Sequence, residues 1–302
     1  MLLKNNIPVS YVFGKIKFEL LFVALYASSI SIIHDNYDLQ IGIPIAVPMI
    51  VGTAISLLLG FRSNQAYDRW WEARIIWGAI VNDSRTFSRQ ILTFIKDPEY
   101  SVEINIFQEK WIKRQMGWNY CLGQSLRDKD PDEGLNKYLT KHDMVFINHH
   151  DNKPNALLQL HALDLKYALE RGWINEYQQV KMDSIITRLC DSMGKCERIK
   201  KTVFPTTYTM YIHFSIYFFM LQLPFCLLQY FGVFQIPFTI AIAAAFFLID
   251  KMAVHLQDPF ENKPTDTPVT SIARTIEVNL RQMLDDKEIP EYKASQTHFY
   301  QL

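Results

Sequence analysis

Two long stretches of the chain carry no charged side chain and are apolar enough to cross a membrane. Val203–Ile249 contains 47 consecutive residues without Asp, Glu, Lys or Arg, and Leu39–Phe61 contains 23. A crossing helix needs about 20 apolar residues, so the longer run is long enough for two crossings and a turn. The turn is expected near Gly232, between helices at about Thr207–Tyr230 and Val233–Ile249.

An earlier apolar stretch, Leu20–His34, is only 15 residues long. It becomes a crossing helix if Lys15 and Lys17 extend their ammonium groups to the interface. A cleaved signal peptide is the alternative, but a leader that contains Glu19 has a poor n-region. We therefore expect four transmembrane helices. Because Lys4, Lys15 and Lys17 precede the first of them, both termini are expected in the cytoplasm.

The polar remainder of the chain has helical periodicity and no alternating strand pattern of useful length. Apolar residues recur at three- and four-residue spacings between Asp68 and Ile95, as in an amphipathic helix. Further helices are predicted at Glu109–Lys129, Asn155–Arg171, Asn175–Lys200 and Ser271–Leu284. Asn175 is a suitable N-cap. Three prolines between Asp258 and Pro268 predict an extended strap before the last helix.

These elements predict an all-α membrane protein with four transmembrane helices and a helical cytoplasmic domain. Residues 1–61 hold the first two crossings, 62–202 the cytoplasmic domain, 203–249 the last two crossings, and 250–302 a cytoplasmic strap and helix.

Composition excludes several classes of function. The 31 Lys and Arg residues balance the 31 Asp and Glu residues, whereas a nucleic-acid-binding protein would show a basic excess. The four cysteines form no CxxC motif, so neither a disulfide framework nor a zinc site is indicated. No cofactor is expected.

Histidines in the segment Lys141–Asn155 suggest a metal hydrolase, but no HxxxH or HExxH motif occurs there. We interpret this segment, including His142, His149 and His150, as a solvated polar loop, and expect neither a metal site nor catalysis. His213 lies within the longest apolar run, near its cytoplasmic end, and is given no functional role.

The second crossing carries small residues at four-residue spacing. Gly52, Ser56 and Gly60 therefore lie on one helix face, a pattern that lets neighbouring membrane helices approach closely.

A different face of the same helix carries Thr53, Leu57 and Phe61. If several copies of this helix surrounded an axis, that face would form a narrow apolar neck. The alternative is that these side chains contact lipid or another helix, and the pattern alone favours that alternative.

Three further segments identify a family. GFRSNQAYDRWWEAR (Gly60–Arg74), KCERIKKTVFPTTYT (Lys195–Thr209) and the Asp-Pro-Phe motif at Asp258–Phe260 resemble the bacterial branch of the bestrophin family, as does the four-helix layout. The resemblance covers nearly the whole chain.

The resemblance implies a homopentameric ion channel in the lipid bilayer of a bacterial inner membrane, with one axial pore, a neck and a cytoplasmic aperture. By position, the neck residues fall on Thr53, Leu57 and Phe61, and Thr53 is more polar than the isoleucine usual there. Ile174 is the best match for the aperture.

Bacterial members resemble sodium-permeable channels and animal members pass chloride, so monovalent cations are the expected permeant ions. A chloride channel of the same architecture and a small-solute transporter are the alternatives. Animal members have an acidic calcium-binding run after the Asp-Pro-Phe motif. Here Glu261–Asp266 contains Lys263 and too few carboxylates, so calcium activation is not expected.

Overall fold

The computed structural model describes residues 8–37, 42–96, 102–202, 204–287 and 289, and every regular element within them is helical. In chain order, the α-helices are α1 (Val9–Phe13), α2 (Lys17–Tyr37), α3 (Ala46–Phe94), α4 (Val102–Leu126), α5 (Lys141–Asn148), α6 (Lys153–Glu170), α7 (Glu176–Lys201), α8 (Thr206–Phe231), α9 (Gln235–Gln257) and α10 (Val269–Met283). Short 3-10 turns occupy Leu135–Lys137 and Gly232–Phe234. The predicted all-α fold class is confirmed.

The chain divides into two compact units. Among the described residues, the membrane unit comprises 8–37, 42–70 and 204–258, and the polar unit comprises 71–96, 102–202, 259–287 and 289. The helix α3 contributes residues to both units. Lys4 and the predicted start of the second crossing, Leu39–Ile41, lie outside the described residues.

Three helical stretches are long and apolar enough to cross a membrane. They are α2, α3 and the stretch Thr206–Gln257, which contains α8 and α9. The last stretch changes direction at the 3-10 turn, where Gly232 adopts a φ of 54°. A left-handed φ is disfavoured for residues with a Cβ, which explains the glycine at this position.

The membrane unit is held together by one apolar core and a few polar contacts. Its core contains Val23 of α2, Ile55 and Leu59 of α3, and residues of α8 and α9. Buried Gln235 of α9 donates from Nε2 to the carbonyl oxygen of Ala27, at 2.8 Å. This hydrogen bond pairs a polar side chain that would otherwise be costly to bury.

The polar unit has a separate core in which α4 is central. Helices α6, α7 and α10 pack against α4. The indole rings of Trp77, Trp111 and Trp118 are fully buried, and the Trp118 indole donates to the carbonyl oxygen of Pro154 at 3.0 Å.

The prediction of a solvated loop over Lys141–Asn155 was wrong, because this segment contains α5. Thr140 caps α5 by accepting from the Asp143 backbone N–H, and Asp143 reciprocates in a capping box. Asp143 also contacts Arg114 of α4, at 2.9 Å. Burial alone would raise the pKa of Asp143, but the buried Arg114 guanidinium outweighs it and lowers that pKa.

The prediction of an extended strap was also wrong. Residues after Asp258 fold into consecutive turns, and the Thr267 N–H donates to the carbonyl oxygen of Pro259 at 3.1 Å. Phe260 and Asp266 are buried in the polar unit. Prolines prevent a helix here, but they also favour turns, and the buried phenyl ring holds the segment compact.

Candidate functional site

The three predicted neck residues lie on one exposed face of α3. Leu57 is 61% exposed and Phe61 is 54% exposed, and Thr53 is also exposed. The Thr53 hydroxyl donates to the Met49 carbonyl oxygen at 2.8 Å, so it is satisfied within its own helix. Among the described residues, these two large apolar side chains are thus more than half uncovered.

The same face continues past the apolar residues. Asn64 and Asp68 are exposed, and with about 100° per residue Asp68 lies only about 20° around the helix axis from Leu57. We call Thr53, Leu57, Phe61, Asn64 and Asp68 the neck face. Within the part of the chain that the structure describes, Asp68 has no basic group at ion-pair distance, whereas its neighbour Arg69 pairs with Asp258 at 3.8 Å.

Asp68 was missed by the sequence reasoning because it lies beyond the apolar run. Asn64 follows Phe61 by three residues and Asp68 follows Asn64 by four, and this helical spacing could have identified Asp68.

The small residues of α3 do not share one environment. A Cβ added to Gly52 would lie 3.2 Å from the Phe219 ring of α8, so a close approach requires glycine there. The Ser56 hydroxyl donates to the Gly52 carbonyl oxygen at 2.8 Å. A Cβ on Gly60 would meet no atom within 4 Å. Among the described residues of one chain, Gly52 is the one of these three that lies in close contact with another helix.

A buried polar cluster fixes the rotation of α3 next to the neck face. Arg62 is fully buried and forms an ion pair with Asp250 of α9. The second carboxylate oxygen of Asp250 lies 2.9 Å from Nε2 of His213, and the Phe204 ring lies 5.9 Å from the Arg62 guanidinium. Because Arg62 points into the membrane unit, the adjacent Phe61 points out of it.

This cluster is costly to break. Removing one partner of a buried ion pair leaves an uncompensated charge, which typically costs about 3–5 kcal/mol. His213, to which we assigned no role, belongs to this cluster. Its contact with Asp250 joins positions 37 residues apart, which sequence spacing could not reveal.

Ile174, the predicted aperture residue, is buried within the single chain. Ile174 is only 5% exposed and belongs to the core of the polar unit. Asn175 caps α7 as predicted, in a capping box with Gln178. One residue into α7, Tyr177 is 87% exposed. Of these residues, Tyr177 and not Ile174 can be reached by an ion or a partner chain.

The other candidate ligands are engaged in local contacts. His150 lies with Nδ1 2.9 Å from the Phe146 carbonyl oxygen, and Glu261 pairs with Lys263 at 3.0 Å. Asp266 accepts from the Lys263 backbone N–H at 3.0 Å. Among the described residues, no group of three or more His, Cys, Asp or Glu side chains could hold a metal ion.

Comparison with known proteins agrees with this architecture. Residues 5–282 match the family described as "Bacterial/Fungal Bestrophin protein". The voltage-dependent anion channel-forming protein YneE of Escherichia coli is 30% identical over 293 residues, which are 95% of this chain and 93% of that protein. A relative of the same description from Ralstonia nicotianae is 28% identical over 82% of this chain and 79% of its own length.

Solved structures are similar as well. The crystal structure of a bacterial bestrophin homologue from Klebsiella pneumoniae is 28% identical, with a TM-score of 0.83 over 90% of this chain and 99% of that one. The family match, the long apolar helices and the shared fold together show that this chain is a membrane protein of the bacterial and fungal bestrophin family.

Proposed function

We propose that this chain forms a homopentameric ion channel, in which five copies of the neck face surround one axial pore. The observation that carries the proposal is the exposure of Leu57 and Phe61 on the face opposite to the core of the membrane unit. The relatives described as channel-forming support it.

The proposed topology follows from the apolar helices. Four helical segments cross the inner membrane, namely α2, the N-terminal part of α3, α8 and α9, and both termini are cytoplasmic. The domain boundaries expected from the sequence, at residues 61, 202 and 249, are retained in this proposal. Gly52 packs α3 against α8 within a subunit, and Ser56 and Gly60 are available for packing between subunits.

Leu57 and Phe61 form the constriction in this proposal, with the more polar Thr53 at one end. An apolar ring offers an ion no ligands to replace its hydration shell, so the ring opposes passage unless it widens or becomes wet. Tyr177 replaces Ile174 as the proposed aperture residue, because its side chain is exposed.

Asp68 supports monovalent cations as the permeant ions. With a rise of 1.5 Å per residue, it lies about 10 Å along the helix from Phe61 on the same face. Five carboxylates at this level would form an acidic ring at one mouth of the neck, and such rings favour cations. They also raise the local concentration of counter-ions.

A second candidate is an anion channel of the same architecture. The names of the Escherichia coli and Ralstonia relatives, which describe voltage-dependent anion channel-forming proteins, favour it. Thr53, Leu57 and Phe61 are uncharged and do not discriminate between the two candidates.

Reversal potentials in planar bilayers under asymmetric NaCl test the proposal. We expect the wild type to reverse near the sodium equilibrium potential. Asp68→Asn should lower the sodium-to-chloride permeability ratio several-fold while current persists, because the ring loses its charge. Asp151→Asn, which removes an exposed carboxylate off the neck face, is the matched control and should change nothing.

Each other outcome has a definite meaning. Reversal near the chloride potential would establish the anion channel instead. Absence of current from correctly assembled protein would exclude a channel. If the Asp68→Asn variant has the same sodium-to-chloride permeability ratio as a cation-selective wild type, Asp68 does not determine selectivity. The proposal of a cation channel would then still stand.

A further inference from the structure

The polar unit contains a cavity of about 620 Å³ between α4, the turns that follow it, and α10. Its size falls within the range of small-molecule sites, about 300–1,000 Å³. Five basic side chains line it, which are Arg127, Lys129, Lys137, Arg274 and Arg281. Two acidic side chains, Glu133 and Glu277, line it as well.

The buried acid in this cavity is already neutralised. Glu277 accepts from the Tyr120 hydroxyl at 2.8 Å and from Nε of Arg281 at 2.8 Å. Arg281 also pairs with Asp286 at 2.5 Å. These contacts pair Arg281 with Glu277. The remaining charged side chains of the lining are four basic groups and the acidic Glu133, so the lining keeps a basic excess.

Arg127 is the basic group whose hydrogen bonds are incomplete. Its Nη1 donates to the Thr270 hydroxyl at 2.6 Å, but its buried Nε and Nη2 have no hydrogen-bond partner among the residues that the structure describes. Burial lowers the pKa of Arg127, while the charge of Asp266 raises it. A guanidinium stays charged in a protein, so an anion in the cavity would stabilise the positive charge of Arg127.

The aromatic wall of the cavity adds no negative charge. The rings of Tyr120 and Tyr138 stack with centroids 5.5 Å apart and an interplanar angle of 12°. Burial raises the pKa of both phenols, and the nearby Glu277 raises them further, so both remain neutral at physiological pH.

We propose that this cavity binds a small soluble anion that carries phosphate groups. The planar fork of a guanidinium matches two phosphate oxygens, and lysine ammonium groups supply additional point charges. Arg127 would hold the anion from the buried side, and Lys129 and Lys137, both exposed, would hold it from the solvent side. This site is separate from the neck face, and its existence does not depend on ion conduction.

Isothermal titration calorimetry of the full chain in detergent, with sodium pyrophosphate as the probe, tests the inference. We expect saturable binding of one pyrophosphate per chain that weakens as NaCl rises, since charge attraction is screened by salt. Arg127→Gln should weaken binding at least about tenfold, because the cavity loses a positive charge that is partly shielded from water.

Two variants at exposed lysines test the inference even if Arg127→Gln impairs folding. Lys129→Gln should weaken binding several-fold, whereas Lys181→Gln, which removes an exposed lysine of α7 outside the cavity, should leave it unchanged. Absence of saturable binding to the wild type, or equal affinity in the Lys129 and Lys181 variants, would overturn the inference. If phosphatidic acid vesicles displace pyrophosphate at a lipid phosphate concentration below that of the pyrophosphate, the cavity binds a lipid headgroup. That result would overturn the proposal of a soluble ligand.

Discussion

His161 is a titratable group buried without a hydrogen bond to any described residue. Both of its ring nitrogens lack a partner in that part of the chain, and its ring packs edge to face against Phe87 with centroids 5.1 Å apart. Burial lowers the pKa of His161 well below its ordinary value, and the positive charges of Arg114 and Lys110 lower it further. The imidazole is therefore neutral in the folded protein and acts as an aromatic core residue.

This burial predicts a specific pH dependence of stability. Below a pH of about 6.5 the unfolded chain binds a proton at His161 that the folded chain does not, so stability falls as the pH decreases. His161→Phe should reduce the loss of melting temperature between pH 7.5 and pH 5.5, measured by thermal unfolding in detergent. His142→Phe, at an exposed histidine, is the control. Equal losses in wild type and His161→Phe would contradict this prediction.

At the scale of elements, α3 combines two environments along one helix. The buried faces of Ile55, Leu59 and Arg62 hold it against α8 and α9, and the neck face is left exposed. The consequence is that residues of the neck face can change without disturbing the core.

Substitutions on the neck face can therefore test the constriction without disturbing the core. Leu57→Ala and Phe61→Ala should widen and wet the constriction and increase single-channel conductance or open probability. Leu58→Ala, at the next residue but about 100° around the helix, is the matched control. Gly52→Leu should instead reduce assembly, because a side chain there clashes with Phe219. If both alanine variants assemble and conduct like the wild type, Leu57 and Phe61 are not the constriction.

Which elements could be predicted depended on their length and pattern. The uncharged run and Gly232 predicted α8 and the start of α9 closely, and the Asn175 cap predicted the start of α7. The end of α9 was predicted at Ile249, but the helix continues to Gln257. The eight-residue helix α5 was missed because so short a helix shows little periodicity. Its stability comes from the contact of Asp143 with Arg114, which lies 29 residues earlier in the chain.

At the scale of the whole molecule, the turns after Asp258 lead to a prediction about calcium. Glu261 and Asp266 are already paired with groups of Lys263, so few oxygens remain for an ion that needs six to eight ligands. Chelation of calcium should leave both the channel current and the pentameric mass, measured by size-exclusion chromatography with light scattering, unchanged. Loss of current on chelation and its return with calcium would contradict this prediction.

The same light-scattering measurement tests the oligomeric state. A mass other than five subunits would contradict the proposed pentamer.

The candidate site was only partly accessible to sequence reasoning. Periodicity within one helix suffices to group Leu57 with Phe61. The pairing of Arg62 with Asp250 joins residues 188 positions apart, and no local pattern encodes it. Burial of Ile174 likewise depends on packing within the polar unit, so its side-chain direction could not be read from the residue type.

The membrane unit is discontinuous in the chain, and this has a consequence for biosynthesis. Roughly 130 residues of the polar unit separate its two parts, and at about 5–20 residues per second the ribosome needs roughly 7–26 s to make them. During that interval Arg62 has been synthesised but Asp250 has not. The nascent α3 therefore carries an uncompensated charge beside its apolar stretch until α9 emerges. The buried ion pair that holds α3 against α9 can therefore form only late in translation, when Asp250 emerges.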